Sequence, residues 1–292
     1  MTKKTGTYNK SDFFNNWDEV NRTLAKRWDE VVKNSPHKHI TKPTLSDLYF
    51  VQSIVRLLKI YLPHKTGLKV LKYDLYNEAM STTTLADWFL SQGCDYYGID
   101  ISPAVIRLAK RNFRSKTDTA KFLIGDVRQL PFPDNYFDIV FSYGTIEHIR
   151  ENEQAVKEAF RVLTPGGIFI SGVNNKLDMW LAYFINELFN RVLKNVTSYE
   201  PSFFPWEQKK WLENAGFVNI KITGMIIFPR LVRYMDLFME WKNIYGIYRF
   251  IWDNAIVRPL VFIATLLDHS SLMRFFSLQT VSIGYKPKLY KK

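Results

Sequence analysis

Two aspartates follow directly on apolar, strand-like segments of the chain. Asp100 closes "DYYGID" (95–100), and Asp126 follows "KFLIG" (121–125). In a parallel sheet the carboxyl ends of neighbouring strands lie at one edge, and ligands bind there. A carboxylate at the first position can accept hydrogen bonds from both ribose hydroxyls, and one at the second can accept from an adenine amine beside the Val127 backbone. The pair predicts an adenine-nucleoside cofactor, although Asp100 alone would serve NAD equally well.

A second group of polar residues follows "FDIVFS" (137–142). Tyr143 and Gly144 come first, at the strand end where a reacting group would point, and Glu147 and His148 follow. Imidazole titrates near neutral pH, so His148 is a candidate general base or a residue that orients a substrate. The alternative is that Glu147 and His148 only begin a helix.

The stretch "VLKYDLYNEA" (70–79) occupies the place of a nucleotide-binding glycine loop but contains no glycine. Glycines let a backbone approach a ligand closely, so side chains here must change the path of the loop. In one interpretation the side chains replace backbone contacts to the cofactor; in the other the pocket is blocked. The first interpretation makes candidates of Tyr73, Asp74, Asn77 and Glu78.

The middle of the chain alternates strand-like and helical segments. This alternation predicts an α/β fold, a parallel sheet with helices on both faces. Strands are predicted at 69–74, 95–100, 121–125, 137–142, 167–173, 217–224 and 278–287. An N-terminal helical extension (1–66) and insertions at about 174–205 and 225–276 stand outside the alternation, and we expect them to form a helical lid. The apolar surface of 225–276 indicates a bulky apolar substrate, a membrane surface or a homo-oligomer partner, unless these helices simply pack on the core.

The net charge of +12 over 292 residues is confined to the two ends of the chain. Residues 67–229 hold 18 Lys and Arg against 18 Asp and Glu, residues 1–66 hold 12 against 6, and residues 230–292 hold 10 against 4. Surplus positive charge in the flanks indicates an anionic partner or serves solubility alone. The single cysteine, Cys94, excludes a disulfide framework and a Cys/His zinc pattern and favours the cytoplasm. The most apolar late segment is "VRPLVFIATLLD", which is interrupted by Arg258 and Pro259 and is too short to span a bilayer. We therefore expect no transmembrane segment, and a peripheral association with the membrane surface stays open.

Three motifs together resemble the class I S-adenosylmethionine-dependent methyltransferases of the small-molecule type: "GIDIS", "GDVRQLPFPDNYFDIVFSYGTIEHI" and "RVLTPGGIFI". The resemblance covers residues 67–224 and the last strand. It implies a Rossmann-like seven-stranded sheet, parallel except for the last strand, with S-adenosylmethionine at the carboxyl ends and no metal. The departure is the first loop, where the family usually has an acid and three glycines and this chain has Lys72, Asp74, Tyr76 and Glu78.

The resemblance implies methyl transfer, and with the apolar surface of 225–276 it leads to the hypothesis that the acceptor is O or N of an apolar or lipid-linked small molecule, with an anionic small molecule as the other candidate substrate. "SYGTIEH" lacks an "NPPY"-like motif, so methylation of a nucleobase amine is not expected. A non-catalytic interaction protein with this fold and, from charge alone, an RNA methyltransferase are the alternatives. The expected site consists of His148 and Glu147 for catalysis and, for the cofactor, Tyr73, Asp74, Asn77, Glu78, Asp100, Ile101, Asp126, Val127, Tyr143 and Gly144.

Overall fold

The computed structural model describes residues 19–34, 43–62, 66–80, 85–113, 120–178, 201–227 and 229–288. The helices of the described residues, in chain order, are α1 (Glu19–Asn34), α2 (Leu45–Tyr61), α3 (Tyr76–Met80), α4 (Leu85–Ser91), α5 (Pro103–Asn112), α6 (Asn152–Val162), α7 (Pro205–Ala215), α8 (Arg230–Trp241), α9 (Ile247–Ile251) and α10 (Arg258–Leu267). A π-helical segment, Trp252–Val257, joins α9 to α10, and 3₁₀ turns lie at Ile146–His148 and Ser271–Phe275.

Seven strands form one sheet in the order β3-β2-β1-β4-β5-β7-β6. Their bounds are β1 (Lys69–Tyr73), β2 (Asp95–Asp100), β3 (Ala120–Ile124), β4 (Phe137–Tyr143), β5 (Leu163–Asn174), β6 (Val218–Met225) and β7 (Gln279–Tyr285). β1 to β5 pair in parallel, and β7 runs antiparallel to both β5 and β6. The predicted Rossmann-like sheet with an antiparallel last strand is therefore confirmed.

The central strands of the sheet are buried on both faces. Alternate residues of β1 show this, since Val70 packs in one core cluster and Leu71 in the other, and both are fully buried. The first cluster includes Leu57 and Leu58 of α2, so part of the N-terminal extension shares the central core. The second cluster lies under α6 and α7.

β5 begins earlier than the sequence pattern predicts. The sequence predicts a strand that begins at Gly167, but pairing already starts at Leu163, opposite Phe137, and its register shifts before Ile168 pairs with Ile139. Gly166 has φ 84°, and a Cβ on Gly167 would lie 2.8 Å from the Thr164 carbonyl oxygen. The two glycines permit this irregular start, because a larger residue would be strained at the first and would clash at the second.

Residues inserted between β6 and β7 form helices that are tied to α2. The Asp268 carboxylate accepts hydrogen bonds from the Tyr49 hydroxyl at 2.7 Å and from the Ile226 amide at 2.9 Å. The Asp236 carboxylate accepts from the Ser46 amide at 3.0 Å and pairs with Arg249 at 2.7 Å. Both acids are fully buried as side chains. The insertion therefore has a fixed position over the first face of the sheet.

The expectation that no segment is long enough to cross a membrane is wrong, because one helix of the described residues has the required length. The π-helical turn carries the helix past Arg258 and Pro259, so Ile247–Leu267 is one 21-residue helix that is apolar enough, by length and composition, to span a bilayer. In the most apolar 18-residue stretch of this helix, only 11% of the residues are buried inside the protein. The predicted insertion at about 174–205 falls mostly on residues 179–200, which lie outside the described residues.

Candidate functional site

A cavity of about 480 Å³ lies at the carboxyl ends of β1 to β4. Its floor comes from the loops that follow these strands, and its cover comes from α1, α2 and α8. Asp29 of α1 holds this cover in place, since its carboxylate accepts hydrogen bonds from the Ser102 hydroxyl and, at 3.0 Å, from the Ala104 amide. The expectation that added helices close the site is met for the N-terminal extension and for the insertion between β6 and β7.

The first loop is organised by a buried lysine. The Lys72 ammonium, at the end of β1, donates to the Glu78 carboxylate at 3.0 Å and to the Asp74 carbonyl and carboxylate at 2.8 and 3.3 Å. Burial by itself lowers the pKa of Lys72, but the carboxylates of Asp74 and Glu78 outweigh it and leave that pKa raised. Tyr96 completes the cluster by donating to Glu78 at 3.1 Å. The loop is therefore held by internal charges.

Asp74 is the member of this cluster that faces the cavity. Its φ of 63° is left-handed, a conformation that glycine adopts freely and that aspartate and asparagine tolerate better than most residues. The Thr145 hydroxyl donates to its Oδ2 at 2.7 Å, while Oδ1 accepts from the Tyr76 amide at 3.3 Å. The carboxylate is thus oriented from both sides and presents negative charge to the cavity.

Asp100 joins the first loop to the start of α5. One carboxylate oxygen accepts from the Leu75 amide and the other from the Ser102 amide, both at 2.8 Å. Burial raises the pKa of Asp100 to about 7, against these two hydrogen bonds, which lower it. Each oxygen retains a further lone pair towards the cavity, so the carboxylate can still accept from a ribose.

Asp126 is engaged by an arginine two residues later. Arg128 donates from Nε to both carboxylate oxygens, at 3.1 and 3.0 Å, and from Nη2 to Oδ2 at 2.7 Å. It also pairs with Glu151 at 2.6 Å and donates to Asn21 of α1. An adenine amine at Asp126 would have to share an acceptor that Arg128 already uses.

Aromatic rings form one wall of the cavity. Trp28 of α1 lies edge-on to His148, with ring centroids 5.3 Å apart, and Phe50 of α2 lies edge-on to Tyr143 at 5.4 Å. Tyr234 of α8 lines the same cavity. The arrangement fits a flat ring next to an imidazole.

Nine of the twelve predicted residues line the cavity, and three do not. Tyr73 points into the opposite core and donates to the Ala155 carbonyl; Glu78 is fully buried against Lys72; Glu147 is 2% exposed and outside the lining. The prediction that Glu78 contacts the cofactor is therefore corrected to a structural pairing. The nine that line the cavity are Asp74, Asn77, Asp100, Ile101, Asp126, Val127, Tyr143, Gly144 and His148.

Some residues of the cavity come from distant elements and were not predicted from the sequence. Trp28, Phe50 and Tyr234 reach the cavity from the added helices, and no motif marks them. Thr145 and Arg128 stand inside motifs that were quoted above, but their roles depend on the paths of neighbouring loops. The interpretation in which the first loop blocks the pocket is not supported, since Asp74 and Asn77 line an open cavity.

The residues present fit an adenosyl cofactor with a cationic end. Asp100 offers acceptors for a ribose, Asp74 is a carboxylate for an ammonium or sulfonium, and the volume lies within the range of small-molecule sites, about 300–1,000 Å³. Gly144, at φ 75°, leaves open space where a Cβ would stand.

Comparison with known proteins agrees with this site. Residues 79–171 match the family model described as "Methyltransferase domain". The chain is 24% identical over 148 residues to a ubiquinone biosynthesis O-methyltransferase of Coxiella burnetii, covering 50% of this chain and 63% of the relative. It is 31% identical over 144 residues to the mitochondrial 2-methoxy-6-polyprenyl-1,4-benzoquinol methylase of Bos taurus, covering 43% and 44%. The chain thus spans less than two thirds of these curated relatives.

Among solved structures, a phosphoethanolamine N-methyltransferase of Haemonchus contortus with bound S-adenosylhomocysteine superposes with a TM-score of 0.56 at 18% identity. The superposition covers 81% of this chain and 52% of that one, and at this identity it concerns the fold alone. The fold and the site define a cofactor-binding α/β domain. The domain match identifies residues 79–171 as a methyltransferase domain, and it agrees with S-adenosylmethionine as the cofactor of this site.

Proposed function

We propose that this protein transfers a methyl group to a ring hydroxyl of a quinol-type molecule that carries an apolar tail. The observation that carries the proposal is the aromatic wall of the cavity, formed by Trp28, Phe50, Tyr143 and Tyr234, with Trp28 beside His148. Two relatives are named for quinone-type substrates, one of them polyprenylated. A flat, apolar acceptor would bury its ring against these side chains, which favours binding through area and ring stacking.

When bound, S-adenosylmethionine supplies an electrophilic methyl group on a sulfonium. Asp100 would hold its ribose, Asp74 its cationic end and Asp126, with the Val127 backbone, its adenine edge. His148 would accept the proton that the acceptor hydroxyl loses when its oxygen takes the methyl group, and the methyl–sulfur bond would break to leave S-adenosylhomocysteine. Most of the rate comes from holding the two reactants in line, and the cover of α1, α2 and α8 excludes water.

Incubation with radiolabelled S-adenosylmethionine and a water-soluble quinol bearing one prenyl unit tests the proposal. We expect a methyl ether, identified by mass spectrometry, and a fall in kcat of about 100-fold or more in His148→Gln, the usual scale for loss of a general base. Cofactor affinity should change little in that variant. Cofactor binding without turnover on quinols would instead favour the non-catalytic alternative, and a ring-methylated product would contradict the hydroxyl as acceptor.

A further inference from the structure

Most exposed apolar side chains of the described residues are gathered in the insertion between β6 and β7. Of the 20 large apolar side chains that are exposed, 17 lie between residues 231 and 276. We call these 17 side chains, on α8, α9, α10 and the turns beside them, the apolar face. Tyr248, Leu231, Leu266 and Phe262 of this face are 66–72% exposed. Such a contiguous apolar surface on a soluble protein marks a place where something binds.

We propose that the apolar face docks on an anionic lipid bilayer, with the Ile247–Leu267 helix lying in the plane of the interface. A helix with a membrane-compatible length and little buried surface presents apolar residues over more than one stripe. One helix packed against this surface would cover only one of these stripes, whereas a lipid interface would cover all the apolar side chains that face away from the protein.

The charges of the insertion favour an anionic surface. Two of its four acidic residues, Asp236 and Asp268, have fully buried side chains, and a third, Asp253, pairs with Arg249 at 3.0 Å. Lys242 and Arg258 are exposed beside the apolar side chains. Residues 230–292 hold 10 Lys and Arg against 4 Asp and Glu. The outward charge is therefore positive, and it complements anionic headgroups.

The position of Arg258 argues against a spanning helix. Arg258 and Pro259 lie near the middle of the 21 residues, where a spanning helix would place a charge at the centre of the bilayer. Val257 and Ala264 are buried against the protein, and the helix ends at Asp268, which is bonded to α2 and to Ile226. Spanning would break these contacts, whereas lying in the interface keeps them.

The apolar face also borders the cavity. Arg233 and Tyr234 of α8 line the cavity, and Tyr234 is 62% exposed at the same time. Docking would therefore bring one cavity wall to the lipid, where an apolar-tailed acceptor is dissolved. This last consequence rests on the proposed function; the docking itself does not.

Flotation of the full chain with vesicles tests the docking. We expect binding to equimolar phosphatidylglycerol and phosphatidylcholine at low salt, weaker binding to phosphatidylcholine alone, and release by carbonate at high pH. The double variant Phe262→Glu, Leu266→Glu should bind anionic vesicles at least tenfold more weakly. Val218→Glu, an exposed apolar residue at the opposite end of the sheet, is the matched control and should bind like the wild type. Unchanged cofactor affinity shows that both variants are folded.

Wild-type protein that stays in solution, or a double variant that binds vesicles normally, overturns the proposal. A dimer that the double variant converts to a monomer, without vesicle binding, would show that a second copy covers the apolar face. Resistance to carbonate would overturn the in-plane arrangement. Turnover of the water-soluble quinol separates the two proposals: the double variant should keep it but lose turnover of a long-tailed quinol in vesicles. Vesicle binding without turnover of either quinol would contradict only the proposed function.

Discussion

Lys72 is a cation inside the protein, and its surroundings explain why the first loop can lack glycine. The side chain is 1% exposed and pairs with Glu78, which is 0% exposed. The methyltransferases that this chain resembles usually have one acid in the first loop. This chain has a lysine and two carboxylates there, so the net charge of the loop is still −1. One of the two carboxylates, Asp74, is directed to the cavity, and the other keeps the lysine charged.

Removing one partner of the buried pair should be costly. Lys72→Met leaves Glu78 buried without a counter-ion, and we expect a loss of about 3–5 kcal/mol in unfolding free energy, measured by urea denaturation. The double variant Lys72→Met, Glu78→Gln should recover part of that loss. The exposed pair Lys209–Glu213, at 3.4 Å, is the control, and Lys209→Met should cost about 1 kcal/mol or less. Equal losses at the two lysines would contradict the buried pairing.

Asp74 should matter for the cofactor more than for the fold. We expect Asp74→Asn to weaken S-adenosylmethionine binding about tenfold, or about 1.4 kcal/mol, in calorimetric titrations, because a carboxylate facing a cation becomes neutral. Asp95→Asn, at the amino end of β2 and exposed, removes the same charge away from the cavity and should leave the affinity unchanged. Equal affinity of wild type and Asp74→Asn would exclude this role.

Asp100 should make stability depend on pH in an unusual direction. Burial raises its pKa from 3.8 to about 7, so between these values the folded state holds a proton that the unfolded state has lost. The stability from this group is therefore present at low pH and falls as pH rises towards 7. Relative to Asp100→Asn, the unfolding free energy of the wild type should fall by about 1 kcal/mol or more between pH 5 and pH 8, measured without cofactor. A flat or rising difference would contradict a raised pKa.

At the scale of elements, the added helices cover the cavity, and one of them, α8, also carries exposed apolar side chains. α1 contributes Trp28 beside His148, and α8 contributes Tyr234, although neither helix belongs to the alternating strand–helix pattern. Their positions rest on a few acids: the half-buried Asp29 for α1, and the buried Asp236 and Asp268 for α8 and α10.

Asp268 should hold the insertion against α2. Asp268→Ala leaves the Tyr49 hydroxyl and the Ile226 amide without their acceptor, which should cost at least about 2 kcal/mol of unfolding free energy. Hydrogen exchange of residues 258–276 should accelerate relative to the strands. Asp134→Ala, whose carboxylate is 69% exposed and pairs with Arg161, is the control and should change both measurements little. Unchanged exchange in Asp268→Ala would mean that apolar packing alone holds the insertion.

At the scale of the whole molecule, the cofactor should act as a stabilising ligand across the sheet. Asp74, Asp100 and Asp126 follow three different strands, so one ligand would join segments that are far apart in the chain.

S-adenosylhomocysteine at about 100 times its dissociation constant should stabilise the protein by about 2.7 kcal/mol. For a chain of this size we expect the Tm to rise by roughly 5–10 °C, measured by differential scanning fluorimetry. NAD at the same concentration should give no shift, because the carboxylate of Asp74 would face a phosphate instead of a cation. A larger shift with NAD would contradict the assignment of the cofactor.

The sequence by itself determined the sheet and the acidic edge of the site. The strand-like segments located all seven strands to within a few residues, and the central ones stood out because a strand buried on both faces must be largely apolar. Asp100 and Asp126 could be placed at that edge because parallel strands end together.

Tertiary structure decided what each polar side chain in the first loop does. Asp74 and Glu78 are both acids four residues apart, yet one faces the cavity and the other is buried, because the Lys72 ammonium and the Tyr96 hydroxyl draw Glu78 inwards. Local sequence patterns also could not predict the aromatic wall or the apolar face. Both depend on where α1, α2 and α8 to α10 pack, and buried contacts between residues about 200 positions apart, such as Tyr49 with Asp268, determine that packing.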